Sequence, residues 1–173
     1  METVPTQLEI AEVSSIDAHA TYQEELMGRC AVHINTLTVD IGQLYGPVRD
    51  KSKPLPPYQV RHVQPYFLSQ LTQRMRTVGA SPLALPFVLL VDPAECPTCE
   101  DWDYEKKDTY HYYVIGGNHS ACAKADLALI RKNDKQFRRV TAFIFAGLTI
   151  QEARNLAWCT NIDSEFHSQM TTI

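Results

Sequence analysis

The chain has 173 residues, 45% of them hydrophobic and 21% charged, with 16 Lys and Arg against 20 Asp and Glu for a formal net charge of −4. Such a length and composition fit one globular domain with an extension, able to bury a core, and exclude a chain disordered in bulk. The longest apolar-rich run, 82–91, falls far short of the roughly 18 residues a membrane span needs.

The N-terminus, METVPTQLEIAEV, has neither the basic start nor the apolar stretch of a secretion signal, so an intracellular protein, nuclear or cytoplasmic, is expected. Charge is unevenly spread. Residues 1–48 carry seven acids and one base, and residues 92–108 carry seven acids and two lysines. The remainder therefore holds a net +7, with six bases (Arg49, Lys51, Lys53, Arg61, Arg74, Arg76) against Asp50 in 49–91 and a second basic cluster from Arg131 to Arg139. A basic body with two acidic appendages is compatible with a phosphate-bearing ligand or with an ordinary solvated surface.

In chain order, residues 1–28 read as an acidic extension, with a loosely periodic helix from Leu8 to Met27. A strand is expected over 30–39, where Val32 and Ile34 alternate imperfectly. Four prolines and four charges in 46–58 spell an exposed loop. Phe67, Leu68, Leu71, Met75 and Val78 recur at helical spacing between Pro65, suited to a first turn, and Gly79, suited to a stop. The run 83–91 reads as a buried strand, 92–108 as an insert, and 109–115 as the next strand. Gly116 and Gly117 break that strand before an alanine-rich helix; 138–146 is a further strand, and Thr149-Ile-Gln-Glu152 is a capping box opening the last helix. The order β, α, β, insert, β, α, β, α predicts a small α/β (α+β) domain over 29–173 with one modest mixed sheet. The last residues, 170–173, supply no closing element, which suggests a domain of a longer chain.

The most informative stretch is YYVIGGNHSACAK, a strand, two glycines, polar residues and a helix. Helix N-termini expose unpaired N–H groups and a partial positive charge, and glycines let a phosphate approach the backbone. Asn118 or Ser120 could instead cap the helix, and His119 could contact a phosphate or act as a catalytic acid/base.

VRHVQPYFLSQLTQRMRTVG, YYVIGGNHSACAKADL and FIFAGLTIQEARNLAWCTN, in this order over roughly 31–161, resemble the ParB/sulfiredoxin-like superfamily, in a divergent form similar to some eukaryotic ParB-like N-terminal domains. The resemblance implies a nucleotide or phosphate at Gly116, Gly117, Asn118, His119 and Ser120, with Arg61 and Asn161 at positions similar to the early Arg and late Asn of ParB-like domains. It also implies CTP, ATP or ADP with Mg²⁺ as ligand, and DNA or chromatin association. Two other readings are a phosphotransferase or nuclease using His119, with insert carboxylates on Mg²⁺, and a degenerate scaffold whose acidic insert meets protein partners. Sulfiredoxins carry a catalytic Cys before the His and an Arg after it; with Asn118 and Ser120 here, sulfinic acid reduction is not expected.

Cys96-Pro-Thr-Cys99 has the spacing of two zinc ligands, with Cys30, Cys122, Cys159, six histidines, Glu95, Glu100 and Asp101 as the pool for the others. Reduced free thiols are the competing expectation, and Cys122, inside a helix, reads as a small buried hydrophobe. Trp102, Tyr104 and Tyr110 to Tyr113 suit either base stacking or packing between strands. Arg74 and Arg76, about 200° apart on a helix, do not point into one shallow site.

Overall fold

The computed structural model describes the backbone of residues 7–81 and 83–170, and the side chains of Ala18, residues 20–81 and residues 83–160. Its elements are α1 (Gln7–Cys30), β1 (Leu37–Asp40), β2 (Leu44–Tyr45), α2 (Pro65–Val78), β3 (Phe87–Val91), β4 (Tyr112–Gly116), α3 (Asn118–Ile130), α4 (Lys135–Arg138), β5 (Arg139–Phe145) and α5 (Ile150–Met170). The five strands form one mixed sheet in the order β1-β5-β3-β4-β2. β3 runs parallel to β5 and antiparallel to β4, β1 is antiparallel to β5, and the two-residue β2 is parallel to β4. The α/β class expected from the sequence is the class observed.

β3 lies at the centre and is buried on both faces, which is why its sequence is an unbroken apolar run rather than an alternation. Leu89 and Val91 point into a core shared with Ala121, Leu127 and Ala128 of α3 and Phe137 of α4. Leu90 and Ile115 point the other way, onto Leu26 and Cys30 of α1 and Ala153, Leu156 and Ala157 of α5. Fully burying a side chain of this size contributes about 1.5–3 kcal/mol, so these two layers dominate the stability. α2 packs on α3 from outside, and none of its residues is fully buried.

Local rules explain several boundaries. α2 starts on Pro65 and stops at Gly79 (φ 84), whose N–H donates to Met75 O at 2.8 Å. α5 opens on the expected capping box: Glu152 N–H donates to Thr149 Oγ1 (3.1 Å) and Thr149 N–H to Glu152 Oε1 (3.0 Å). Other boundaries move. The strand expected over 30–39 is confined to Leu37–Asp40, because α1 continues to Cys30. Burial of Leu26 and Cys30 and the pairs from Arg29 to Glu25 and Glu152 hold that last turn helical. β3 begins at Phe87, since Leu83 is 92% exposed and Ala84 N–H turns back to Ser81 O (3.2 Å). β4 begins at Tyr112, because the N–H groups of Thr109 and Tyr110 both donate to Lys106 O. α4 was not expected; Asp134 caps it through Gln136 N–H at 3.2 Å.

The acidic insert between β3 and β4 is fastened down. Trp102 stacks on Tyr110 with ring centroids 5.0 Å apart, and the Gln43 amide donates to the carbonyls of Lys107 (2.9 Å) and Tyr110 (3.0 Å). The proline-rich loop after β2 is fastened by a buried glutamine. Val48 N–H donates to Gln59 Oε1 (2.7 Å), and Gln59 Nε2 donates to the carbonyls of Val48 (2.9 Å) and Arg61 (3.0 Å). Arg49 adds a two-pronged contact to Asp126 at 2.8 and 2.9 Å and reaches Cys122 O at 3.3 Å, tying the loop to α3. No helix among the described residues is long and apolar enough to cross a membrane.

Replacing the buried Gln59 by Leu removes the partner of three backbone groups, Val48 N–H, Val48 O and Arg61 O. Gln59→Leu is therefore expected to lower stability by about 2–4 kcal/mol in urea unfolding. Gly28→Ala, in α1 with nothing within 4 Å of the added methyl group, is expected to raise it by about 0.5–1 kcal/mol.

Candidate anion site at the start of α3

The predicted glycine turn lies between β4 and α3. Gly117 is the N-cap residue of α3 at φ 102, ψ 26, a left-handed conformation that disfavours any side chain. A Cβ there would meet Phe87 Cδ1 at 2.6 Å, and a Cβ on Gly116 would meet Thr160 Oγ1 of α5 at 2.8 Å. Both glycines thus have packing reasons to be glycine. The outcome is a backbone turn held closely between β3 and α5.

Neither Asn118 nor Ser120 caps the helix, and Gly117 has no side chain to do so. The first intrahelical bond is Ala121 N–H to Gly117 O at 2.8 Å. Among the described residues, the N–H groups of Asn118, His119 and Ser120 donate to no protein group. Asn118, only 8% exposed, is one of two buried polar residues in the described core, and its Oδ1 is closed off from solvent without a hydrogen-bond partner.

The segment 61–64 lies across this turn as a strap. Gln64 N–H donates to His119 Nε2 at 3.0 Å, and the Phe67 ring meets the imidazole edge-on with centroids 4.8 Å apart. Since Nε2 accepts, the neutral ring carries its proton on Nδ1. Burial holds the His119 pKa below the ordinary histidine range, and no charged neighbour contributes to the shift. On the strap itself, the Arg61 guanidinium sits over the Trp158 ring of α5, 5.2 Å from its centroid, and His62 Nδ1 is a second buried atom without a partner.

The expected residues Gly116, Gly117, Asn118, His119 and Ser120 thus form one turn, and Arg61 belongs to the strap tied to it. Asn161 lies outside the residues whose side chains are described. Gln64 and Trp158 were not anticipated. Gln64 acts through its backbone, which leaves no side-chain signal, whereas Trp158 was visible as an aromatic on the last helix. Cys122 is buried, as a small hydrophobe would be.

Metal binding is corrected. Among the described residues no group of three or more His, Cys, Asp or Glu side chains could hold a metal ion, so neither zinc at Cys96 and Cys99 nor Mg²⁺ on the insert carboxylates, alone or with a nucleotide, is retained. The CxxC spacing serves packing instead. Cys96 is fully buried with Sγ donating to Thr98 O (3.2 Å), and Cys99 Sγ donates to Ala31 O (3.3 Å). Burial pushes both thiols up in pKa, away from the thiolate a metal requires. The knuckle rests on Gly147 (φ 76), where a Cβ would approach Thr98 Cα to 3.2 Å.

The aromatics of the insert and its flanks also pack on one another: Tyr45 lies against Tyr113 (4.6 Å) and His111 (5.5 Å), and Tyr113 against Tyr58 (4.8 Å). At the far end of α3, Arg131 donates to Arg76 O (3.4 Å). There, beside a shallow depression lined by 130–134, Arg76, Arg131 and Lys132 offset the negative ends of α2 and α3.

Because the folded state depresses the His119 pKa, the unfolded chain binds the proton more tightly. The stability due to the neutral ring is fully present above about pH 6.5 and is lost as pH falls toward the lower folded value. Urea midpoints measured from pH 7.5 down to 5 are expected to fall for the native chain, and His119→Gln is expected to remove that part of the decline. Comparison with protein-family models, curated proteins and solved structures finds no significant match for this chain.

Proposed function

We propose that the chain is a ParB/sulfiredoxin-like domain that binds the phosphate group of a ligand at the start of α3 without a metal ion. The observation that carries this reading is the uncapped first turn, with the amides of Asn118, His119 and Ser120 unused by any described residue. Three such donors at the positive end of a helix suit the oxygens of an oxyanion. Gln64 ties the strap to His119, and three residues upstream the Arg61 guanidinium lies over Trp158, at the position that resembles the early Arg of ParB-like domains.

Binding fits the geometry better than catalysis. The Nε2 of His119 is engaged by Gln64 N–H, and no carboxylate orients the ring among the described residues. An imidazole used this way anchors the strap rather than shuttling protons.

Calorimetric titration with inorganic phosphate and with cytidine and adenosine nucleotides, in EDTA, tests the proposal. Saturable binding insensitive to EDTA is expected, weakened about tenfold or more by Asn118→Pro, which removes one of the three N–H donors at a position where proline suits a helix start. No heat with any of these ligands, or binding that appears only when a divalent metal is added, would refute it.

A further inference from the structure

Four rings form a continuous row at the β2 end of the sheet. Tyr58 lies against Tyr113 with centroids 4.8 Å apart, Tyr113 against Tyr45 at 4.6 Å, and Tyr45 against His111 at 5.5 Å with the planes only 18° apart. Sheet pairing produces the row: Tyr45 of β2 is the register partner of Tyr113 of β4, and His111 stands two residues before Tyr113, on the same side of the extended chain. Core packing accounts for Tyr58 and Tyr113, half-buried beside the layer formed with α1 and α5. It does not account for the other end. β2 is the last strand of the sheet, Tyr45 is 39% exposed and the His111 side chain 50%. Two carboxylates border that open end. Tyr45 OH donates to Asp92 Oδ2 at 2.7 Å, and Glu95 accepts from the His111 backbone N–H (2.6 Å) and from Nδ1 (2.8 Å). A carboxylate has about four lone-pair positions, so both retain capacity to accept. A phenol that donates to a carboxylate also has a more electron-rich ring, which a cation prefers.

We propose that the Tyr45–His111 end of this row is a docking surface for an arginine side chain carried by a basic segment of a partner protein. Charge complementarity selects a cationic partner, because the segment 92–108 that supplies Asp92 and Glu95 carries seven acids against two lysines. A nucleic acid would instead bring phosphates against those carboxylates. The rings select arginine among the cations. Its guanidinium is flat, always charged and weakly hydrated, so it stacks on an aromatic while its N–H fork reaches a carboxylate; the lysine ammonium is a strongly hydrated point charge. The fold already contains a contact of this kind, with the Arg61 guanidinium 5.2 Å from the centroid of the Trp158 ring. The surface uses no residue of the α3 turn and does not depend on the phosphate reading.

The test is a titration of the full chain with an acetylated, amidated peptide of four Gly-Arg repeats and with its lysine and glutamate counterparts, followed by amide chemical shifts. Saturable shifts centred on residues 45, 92, 95, 111 and 113 are expected with the arginine peptide, and none with the glutamate peptide. The arginine peptide is expected to bind about threefold or more tightly than the lysine peptide, with an affinity that falls as salt is raised. Tyr45→Leu and Glu95→Gln are each expected to weaken it about fivefold or more. Should either variant lose its near-ultraviolet circular dichroism, Asp92→Asn, which keeps an acceptor for Tyr45, carries the same expectation. Absence of binding, shifts centred elsewhere, equal affinity for arginine and lysine, or binding unchanged in the variants overturns the proposal. So do shifts of the same amides with protein concentration alone, which would assign the surface to a second copy of the chain.

Discussion

Between Gly116 and Asn118 the chain must leave the central sheet, reverse and enter α3 with a β3 phenylalanine on one side and an α5 threonine on the other. There is no room for even one methyl group at either glycine. The left-handed Gly117 sets the angle at which α3 departs, and through α3 the positions of α2, α4 and the tied-down proline-rich loop follow. The same restriction leaves the helix start bare. A residue able to cap it from the N-cap position would need a Cβ, and Phe87 occupies that space. Packing alone therefore produces a turn whose first amides meet no described acceptor, and the proposed phosphate site rests on that consequence.

Elements governed by local rules were legible in the sequence. Pro65 and Gly79 bracket α2, Thr149 and Glu152 announce α5, and the passage from β4 through two glycines into α3 stands as read. Elements decided by distant partners were not. α1 reaches Cys30 because Leu26 and Cys30 pack beneath Phe145 and Leu148 and because Glu152, 123 residues away, receives Arg29. β2 exists only because Tyr112 and Tyr113 lie beside it, and two residues carry no periodicity to read.

The candidate site divides in the same way. The glycines, Asn118, His119 and Ser120 could be picked out because they are consecutive, and Arg61 only through a family resemblance. The contact joining strap to turn is made by the backbone of Gln64, which any non-proline residue would supply. The cysteines illustrate the opposite error. Their spacing matched a metal knuckle, yet Cys96 is enclosed and Cys99 is spent on Ala31 O, with the intervening residues pressed on Gly147. Spacing reports where two sulfurs stand along the chain, and burial decides whether they can ionise.

α2 and α3 are side by side and point the same way: Gln64 meets His119 at one end, and Arg76 meets Arg131 at the other. Their peptide dipoles therefore reinforce each other instead of cancelling as in an antiparallel pair. α2 also begins without a side-chain cap. The pair works as an electrical polarity built from backbone alone, with its positive pole at the bare turn. A phosphate bound there as proposed meets this fixed local field, whatever the chain's net charge of −4.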